Sequence, residues 1–63
     1  MLEELKGKFV KITYEDENKV KAIYGYLMEF DDNFITIRFR NGKIVVLNKL
    51  KIIRISTVDE KDK

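Results

Sequence analysis

Residues 5–37 read LKGKFVKITYEDENKVKAIYGYLMEFDDNFITI, and this stretch decides the fold. Its first part alternates between apolar and polar residues: Val10 and Ile12 fall on one parity, Phe9 and Lys11 on the other. An alternation with a period of two is typical of a half-buried β-strand. We therefore expect a strand over this part, with Val10 and Ile12 facing the core and Phe9 on the outer face with Lys11.

A second apolar segment, 20–30, is longer and carries apolar residues on both parities. Tyr24, Tyr26 and Phe30 share one parity, and Gly25 lies in the middle of the segment. A glycine inside a strand often marks a bend or a bulge. The pattern predicts one long strand that bends at Gly25 and takes part in two regions of a small sheet.

Turn-forming residues divide the rest of the chain into its remaining elements. The dipeptide Asn41–Gly42 is a strong hairpin signal, and it predicts a type I′ turn with positive φ at both residues. A short helical turn is expected at the N-terminus, and three further strands are expected at 34–40, 43–47 and 51–56. Within 34–40 the two isoleucines share one parity and the two arginines the other, so the isoleucines should face the core and the arginines the outside. The predicted fold class is all-β with a short N-terminal helix: a five-stranded, strongly bent, antiparallel small β-barrel.

Composition excludes most enzyme classes. The chain has 63 residues and contains neither Cys nor His. Thiolate nucleophiles, zinc–thiolate sites and Ser-His-Asp chemistry are therefore ruled out. A chain of this size also has little room for a substrate pocket. We predict a protein that is not an enzyme, with no cofactor, no metal site and no small-molecule substrate.

Length also bears on assembly and location. A domain near 60 residues buries only about 60% of its unfolded surface, so oligomerisation is a natural source of stability. The N-terminus lacks the apolar core of a signal peptide, and no apolar stretch reaches the length of a membrane helix. These features predict a cytoplasmic protein without membrane contact. Abundant Lys, Glu and Ile, with no Gln or Cys, resemble archaeal and thermophile compositions.

The segment 25–31, GYLMEFD, resembles the first motif of the Sm-like family, which reads G-x-L-x-x-[FY]-D. The resemblance implies a single barrel domain over 1–56. Residues 57–63 are mostly charged or polar and include one apolar residue, so they are expected to form a disordered tail. The resemblance also implies a homo-oligomeric ring of six or seven subunits that binds single-stranded RNA. SH3-like and PRC-type barrels place similar residues at a bent strand, so they remain alternatives for the fold.

The family's base-binding pocket combines an Asn after this motif with an Arg-Gly pair before the last strand. Asn33 is the candidate for that Asn, although it lies early. The Arg-Gly pair is absent, and Asn48–Lys49 stands in its place. The resemblance therefore implies RNA binding near these residues, with base reading that differs from the family pattern.

Charge gives an independent argument for nucleic acid. Residues 1–32 hold five basic and eight acidic residues, whereas residues 33–58 hold six basic residues and no acidic one. Outward cations on a hairpin form a stripe that can contact phosphates, and an exposed aromatic can stack on bases. The candidates are Phe34, Tyr24 and Tyr26, although aromatics at regular strand spacing more often pack in a core or a subunit contact. The same cations could instead keep a strand edge from aggregating. The predicted interface consists of Asn33, Phe34, Arg38, Arg40, Lys43, Asn48, Lys49 and Lys51.

Two other functions remain open from the sequence. A structural or adaptor barrel could assemble through open strand edges without touching nucleic acid, with the acidic half of one subunit against the basic half of the next. A small duplex-DNA-binding chromatin protein would suit the size and the Lys content, but eleven acidic residues are many for such a role.

Overall fold

The computed structural model describes residues 2–58 and contains one antiparallel sheet of five strands. The strands, in chain order β1 to β5, are Phe9–Asp16, Lys19–Phe30, Phe34–Arg38, Ile44–Asn48 and Ile52–Thr57. Single 3₁₀ turns precede β1 and β5, at Leu2–Leu5 and Lys49–Lys51. The predicted all-β class, with a short helical turn before five strands, is confirmed.

The strand order across the sheet is β4-β3-β2-β1-β5. Within the described residues, β4 and β5 are therefore the two edges of the sheet, and closure into a barrel stays a prediction. The chain is nevertheless compact, with a Cα radius of gyration of 11.1 Å. No helix among residues 2–58 combines the length and the apolar character needed to cross a membrane.

The core lies on one face of the three central strands. The five fully buried side chains are Val10, Ile12, Leu27, Ile35 and Ile37. Alternation places each of them on the same face, where burial of an aliphatic side chain stabilises the fold by about 1.5–3 kcal/mol. The core face predicted for β1 and β3 is confirmed.

Gly25 lies where β3 packs most closely on β2. A Cβ atom at this position would lie 2.5 Å from Cγ2 of Ile37 and 2.9 Å from the carbonyl oxygen of Arg38. The absence of a side chain therefore lets a buried β3 residue cover the backbone of β2. The irregularity in the pairing of β2 with β3 falls three residues later, at Met28, between the pairs Leu27–Ile37 and Glu29–Thr36.

Because of this bulge at Met28, Phe30 lies on the core face and not on the face that it would share with Tyr24 and Tyr26 by alternation. Strict alternation from Tyr26 would place Phe30 on the outer face, but the bulge adds one residue and reverses the parity. Phe30 pairs with the buried Ile35 and packs against the core. The aromatic residues of β2 are therefore divided, with Tyr24 and Tyr26 on one face and Phe30 on the other.

The turn between β3 and β4 differs from the expectation. Asn41 does not have positive φ; Gly42 does, at 93°, and its amide donates to the carbonyl of Phe39. Phe39 also pairs with Lys43 around a three-residue loop, so the predicted type I′ turn is wrong and a type I turn with a glycine bulge takes its place.

A two-residue loop with positive φ at both positions joins β1 to β2 instead. Glu17 has φ of 52° and Asn18 of 66°, between the paired residues Asp16 and Lys19. The polar, charged segment 15–19 predicts a turn here, and the structure confirms it. Positive φ at Glu17 was not predicted, because Glu rarely adopts this conformation.

β5 runs further than predicted. Thr57 was expected to begin the tail, but it pairs with Val10, and the amide of Val58 donates to the carbonyl of Phe9 at 3.2 Å. The rest of the predicted tail, residues 59–63, lies outside the described residues.

Candidate nucleic-acid interface

Six of the eight predicted interface residues fall in two regions of the sheet, and Lys43 and Lys51 lie apart from both. One region, here called the loop end, comprises the turn between β2 and β3 and the start of the second 3₁₀ turn. It holds Asn33, Phe34, Asn48 and Lys49. The other region is the sheet face opposite the core, here called the outer face. It includes Arg38 of β3, and Arg40 of the following loop reaches over it.

Backbone contacts hold the loop end together. The amide of Lys49 donates to the carbonyl of Asn33 at 2.8 Å, and Phe34 pairs with Asn48 across β3 and β4. Oδ1 of Asn48 accepts from the amide of Leu50 at 2.9 Å and caps the 3₁₀ turn. The structure thus brings these four predicted residues together, but it uses one Asn side chain to organise the loop.

Asp31 adds a negative charge to the loop end. Its Oδ1 accepts from the amides of Asn33 and Phe34, both at 2.8 Å. These two hydrogen bonds lower the pKa of Asp31 below its ordinary value, and the positive charge of Lys49 lowers the pKa further. Nζ of Lys49 also lies 5.6 Å from the centre of the Phe30 ring. The charges of the loop end are therefore mixed.

Strand register builds the outer face in rows. Phe9 of β1 pairs with Tyr26 of β2, and Tyr26 pairs with Arg38 of β3. In the next row, Lys11 pairs with Tyr24. Directly paired residues project from the same face of a sheet, so these five side chains lie side by side.

The three rings of the outer face contact one another. The centres of the Phe9 and Tyr24 rings are 6.4 Å apart in a stacked arrangement, and those of Phe9 and Tyr26 are 5.1 Å apart, edge to face. Tyr24 is 45% exposed, whereas Phe9 is only 6% exposed. Phe9 is thus a small second apolar centre, on the face opposite the main core.

Each ring of the outer face has a cation over it. The guanidinium carbon of Arg40 lies 4.5 Å from the centre of the Phe9 ring, and that of Arg38 lies 5.3 Å from the centre of the Tyr26 ring. Nζ of Lys11 lies 6.0 Å from the centre of the Tyr24 ring. Cations at these separations are attracted by the electron-rich ring faces. We call these six residues the aromatic–cationic cluster: Phe9, Lys11, Tyr24, Tyr26, Arg38 and Arg40.

Sequence reasoning placed Arg38 and Arg40 in the interface but left out Lys11 and Phe9. The signal for both was present, because the alternation of β1 puts them on the outer parity. The close approach of Arg40 to Phe9 could not be predicted from the sequence, since it depends on where the loop after β3 lies relative to β1.

The other two predicted cations lie apart from the cluster. Lys43 is exposed at the end of the β3–β4 loop, where its amide donates to Oδ1 of Asn41. Lys51 lines an open cleft of about 280 Å³ together with Glu15 and Asp16 of β1. Among residues 2–58, no group of three or more Asp or Glu side chains is arranged to hold a metal ion.

Comparison with known proteins assigns no family. No protein-family model matches the chain, and no curated protein matches it. Function therefore has to be argued from the two regions described above.

Proposed function

We propose that this protein binds single-stranded RNA as a homo-oligomer of the Sm-like kind. The observation that carries the proposal is the gathering of Lys11, Arg38 and Arg40 over three aromatic rings on one face of the sheet. The expected order of elements, a short helical turn and then five strands with a long second one, also supports the family resemblance.

Electrostatics favours a polyanionic ligand for this face. Residues 33–58 contain six cations and no acid, and two of those cations belong to the cluster. Lys and Arg bind nucleic acid largely by neutralising phosphates and releasing counterions. Overall charge is only +2, so the attraction has to come from a local group of cations such as the cluster.

Open strand edges support self-assembly. On the edge strand β4, Ile44 and Val46 are 53% and 56% exposed, and on the edge strand β5 Ile53 is 59% exposed. Unpaired edges with apolar side chains are templates for pairing with another chain. We expect the edges of neighbouring subunits to join, giving six or seven subunits by light scattering at both low and moderate salt.

The binding proposal is tested by the salt dependence of affinity for a short oligo-U. Each phosphate contact on a single strand contributes about 0.7 to the slope of log affinity against log salt. The double variant Arg38→Gln/Arg40→Gln should therefore bind more weakly, and the magnitude of its slope should be smaller than the wild-type value by about 1.4. Wild-type affinity that stays flat with salt, or no binding, would overturn the proposal.

The matched control is Lys19→Gln/Lys21→Gln, which also removes two cations placed two residues apart. These lysines lie on β2 in the acidic half, and Lys21 forms an exposed ion pair with Asp16 at 3.0 Å. Exposed ion pairs contribute little to stability, so the control should fold normally. Its salt slope should stay at the wild-type value, whereas an equal drop in both variants would point to net charge alone.

A second candidate function is favoured by the same apolar edges: a self-assembling adaptor that contacts only protein. Val46→Glu tests the assembly that both functions require, because a charge at the β4 edge should block strand pairing between subunits. Binding of oligo-U separates the two functions. Under the adaptor hypothesis, the subunits assemble and oligo-U does not bind. Under the RNA hypothesis, the Arg38→Gln/Arg40→Gln variant loses affinity while keeping the wild-type mass. Competition with duplex DNA tests the chromatin-protein alternative.

A further inference from the structure

We infer that the aromatic–cationic cluster stacks unpaired bases, so that its ligand is a single strand of any sequence rather than a duplex. This inference rests on the proposed function and deepens it, because it adds ring contacts to the phosphate contacts. It also assigns base contact to the outer face of the sheet instead of the loop end.

The first step is the availability of an aromatic surface. Tyr24 is 45% exposed and lies at the edge of the ring cluster, stacked on Phe9. Neighbouring rings restrict its motion, so little side-chain freedom is lost when a base packs on it. Every base has a π face, which makes stacking on such a ring tolerant of sequence.

The second step concerns Arg40. Its guanidinium group lies over the Phe9 ring at 4.5 Å, so one side of that group is covered by the ring. Guanidinium planes also stack on bases in RNA-binding proteins. Arg40 can therefore extend the stacking surface outward from Phe9 while its charge remains near the sugar–phosphate chain.

Cations surround the rings of the cluster. Arg54 of β5 pairs with Thr13 of β1, which has the same parity as Lys11, so Arg54 adds a fourth cation to the outer face. Of the carboxylates on this side, Glu29 forms an ion pair with Lys6 at 3.4 Å, and Glu15 pairs with Val20 at the far end of β1. Tyr and Arg are also frequent in protein-binding hot spots, but a surface with cations around its rings favours a polyanion.

The combination of rings and cations favours a single-stranded nucleic acid over a duplex. In a duplex, the bases stack on each other and pair, so their faces are hidden from a protein ring. Single strands offer both bases and phosphates to a surface that combines rings with cations. The cluster should therefore prefer a single strand over a duplex of the same length and sequence.

Two aromatic residues of nearly equal exposure provide a matched test. Tyr24→Leu removes a ring of the cluster, and Phe34→Leu removes a ring of the loop end that is 46% exposed. Affinities for short oligo-U, oligo-A and the duplex of the two are compared over a range of salt concentrations, with urea unfolding as a check on the fold. Tyr24→Phe keeps the ring and serves as the conservative control.

We expect Tyr24→Leu to lower both affinities about tenfold with an unchanged salt slope, because it removes stacking and no charge. Phe34→Leu and Tyr24→Phe should stay within about twofold of the wild type. An equal or larger loss in Phe34→Leu would overturn the inference and leave the proposed function intact, whereas a wild type that prefers the duplex would overturn both. Absence of RNA binding by the wild type would overturn the proposed function itself. A protein bound to the cluster in place of RNA would assign the cluster to a protein interface.

Discussion

The outer face and the loop end both combine aromatic rings with cations, but different forces hold them together. On the outer face, side chains from three strands meet because register places Phe9, Tyr26 and Arg38 in one row. At the loop end, backbone and capping hydrogen bonds organised by Asp31 and Asn48 fix the chain. The outer face is therefore held by contacts between side chains, whereas the loop end uses its polar groups to maintain its own shape.

The largest difference should appear when one phenylalanine is removed from each region. Phe9→Ala should lower the free energy of unfolding by about 3 kcal/mol, because it leaves a cavity beneath Arg40. Phe34→Ala, at a half-exposed position, should cost less than about 1 kcal/mol. Urea unfolding of the two variants measures both values. Equal losses would show that Phe9 is not a second apolar centre.

A smaller effect tests the cap at the loop end. Asn48→Ala should destabilise the protein by about 1 kcal/mol, because the amide of Leu50 loses its acceptor. Asn48→Asp keeps a side-chain oxygen at that position and should recover most of the loss. If alanine and aspartate behave alike in urea unfolding, the side chain of Asn48 does not organise the loop and is available for another role.

The smallest effect concerns the charge of Asp31. Because folding lowers the pKa of this carboxyl, its contribution to stability is present above its unfolded pKa of about 3.9 and is lost as the pH falls through the lowered folded value. Asp31→Asn keeps an acceptor oxygen but removes the charge. Its urea midpoint should fall below the wild-type midpoint at neutral pH and approach it below about pH 4. A difference that does not change with pH would contradict this assignment.

Alternation predicted the core because it depends only on local order. Val10, Ile12, Ile35 and Ile37 are buried on the expected face, and Phe9 lies with Lys11 on the opposite one. Alternation failed at Phe30, because the bulge at Met28 inserts an unpaired residue. Nothing in the residue types from Leu27 to Phe30 marks that insertion, since it depends on how β3 aligns with β2.

The sequence predicted only part of the candidate interface, because the rest depends on contacts between residues far apart in the chain. The outward positions of Arg38 and Arg40 follow from sequence order, but their rings come from β1 and β2, and that pairing is a long-range contact. Asn33 and Asn48 were predicted from family resemblance, and the structure brings both to the loop end. Hydrogen bonding within the loop then engages the carbonyl of one and the side chain of the other.

The most direct test of the central claim is a map of RNA contacts on the isotopically labelled protein by nuclear magnetic resonance. Oligo-U is titrated into the wild type, and the amide and side-chain shifts of both regions are followed. The account predicts that the largest changes fall at Lys11, Tyr24 and Arg38, with smaller ones at the loop end. Changes confined to Asn33, Phe34 and Lys49, or no change at saturating oligo-U, would contradict it.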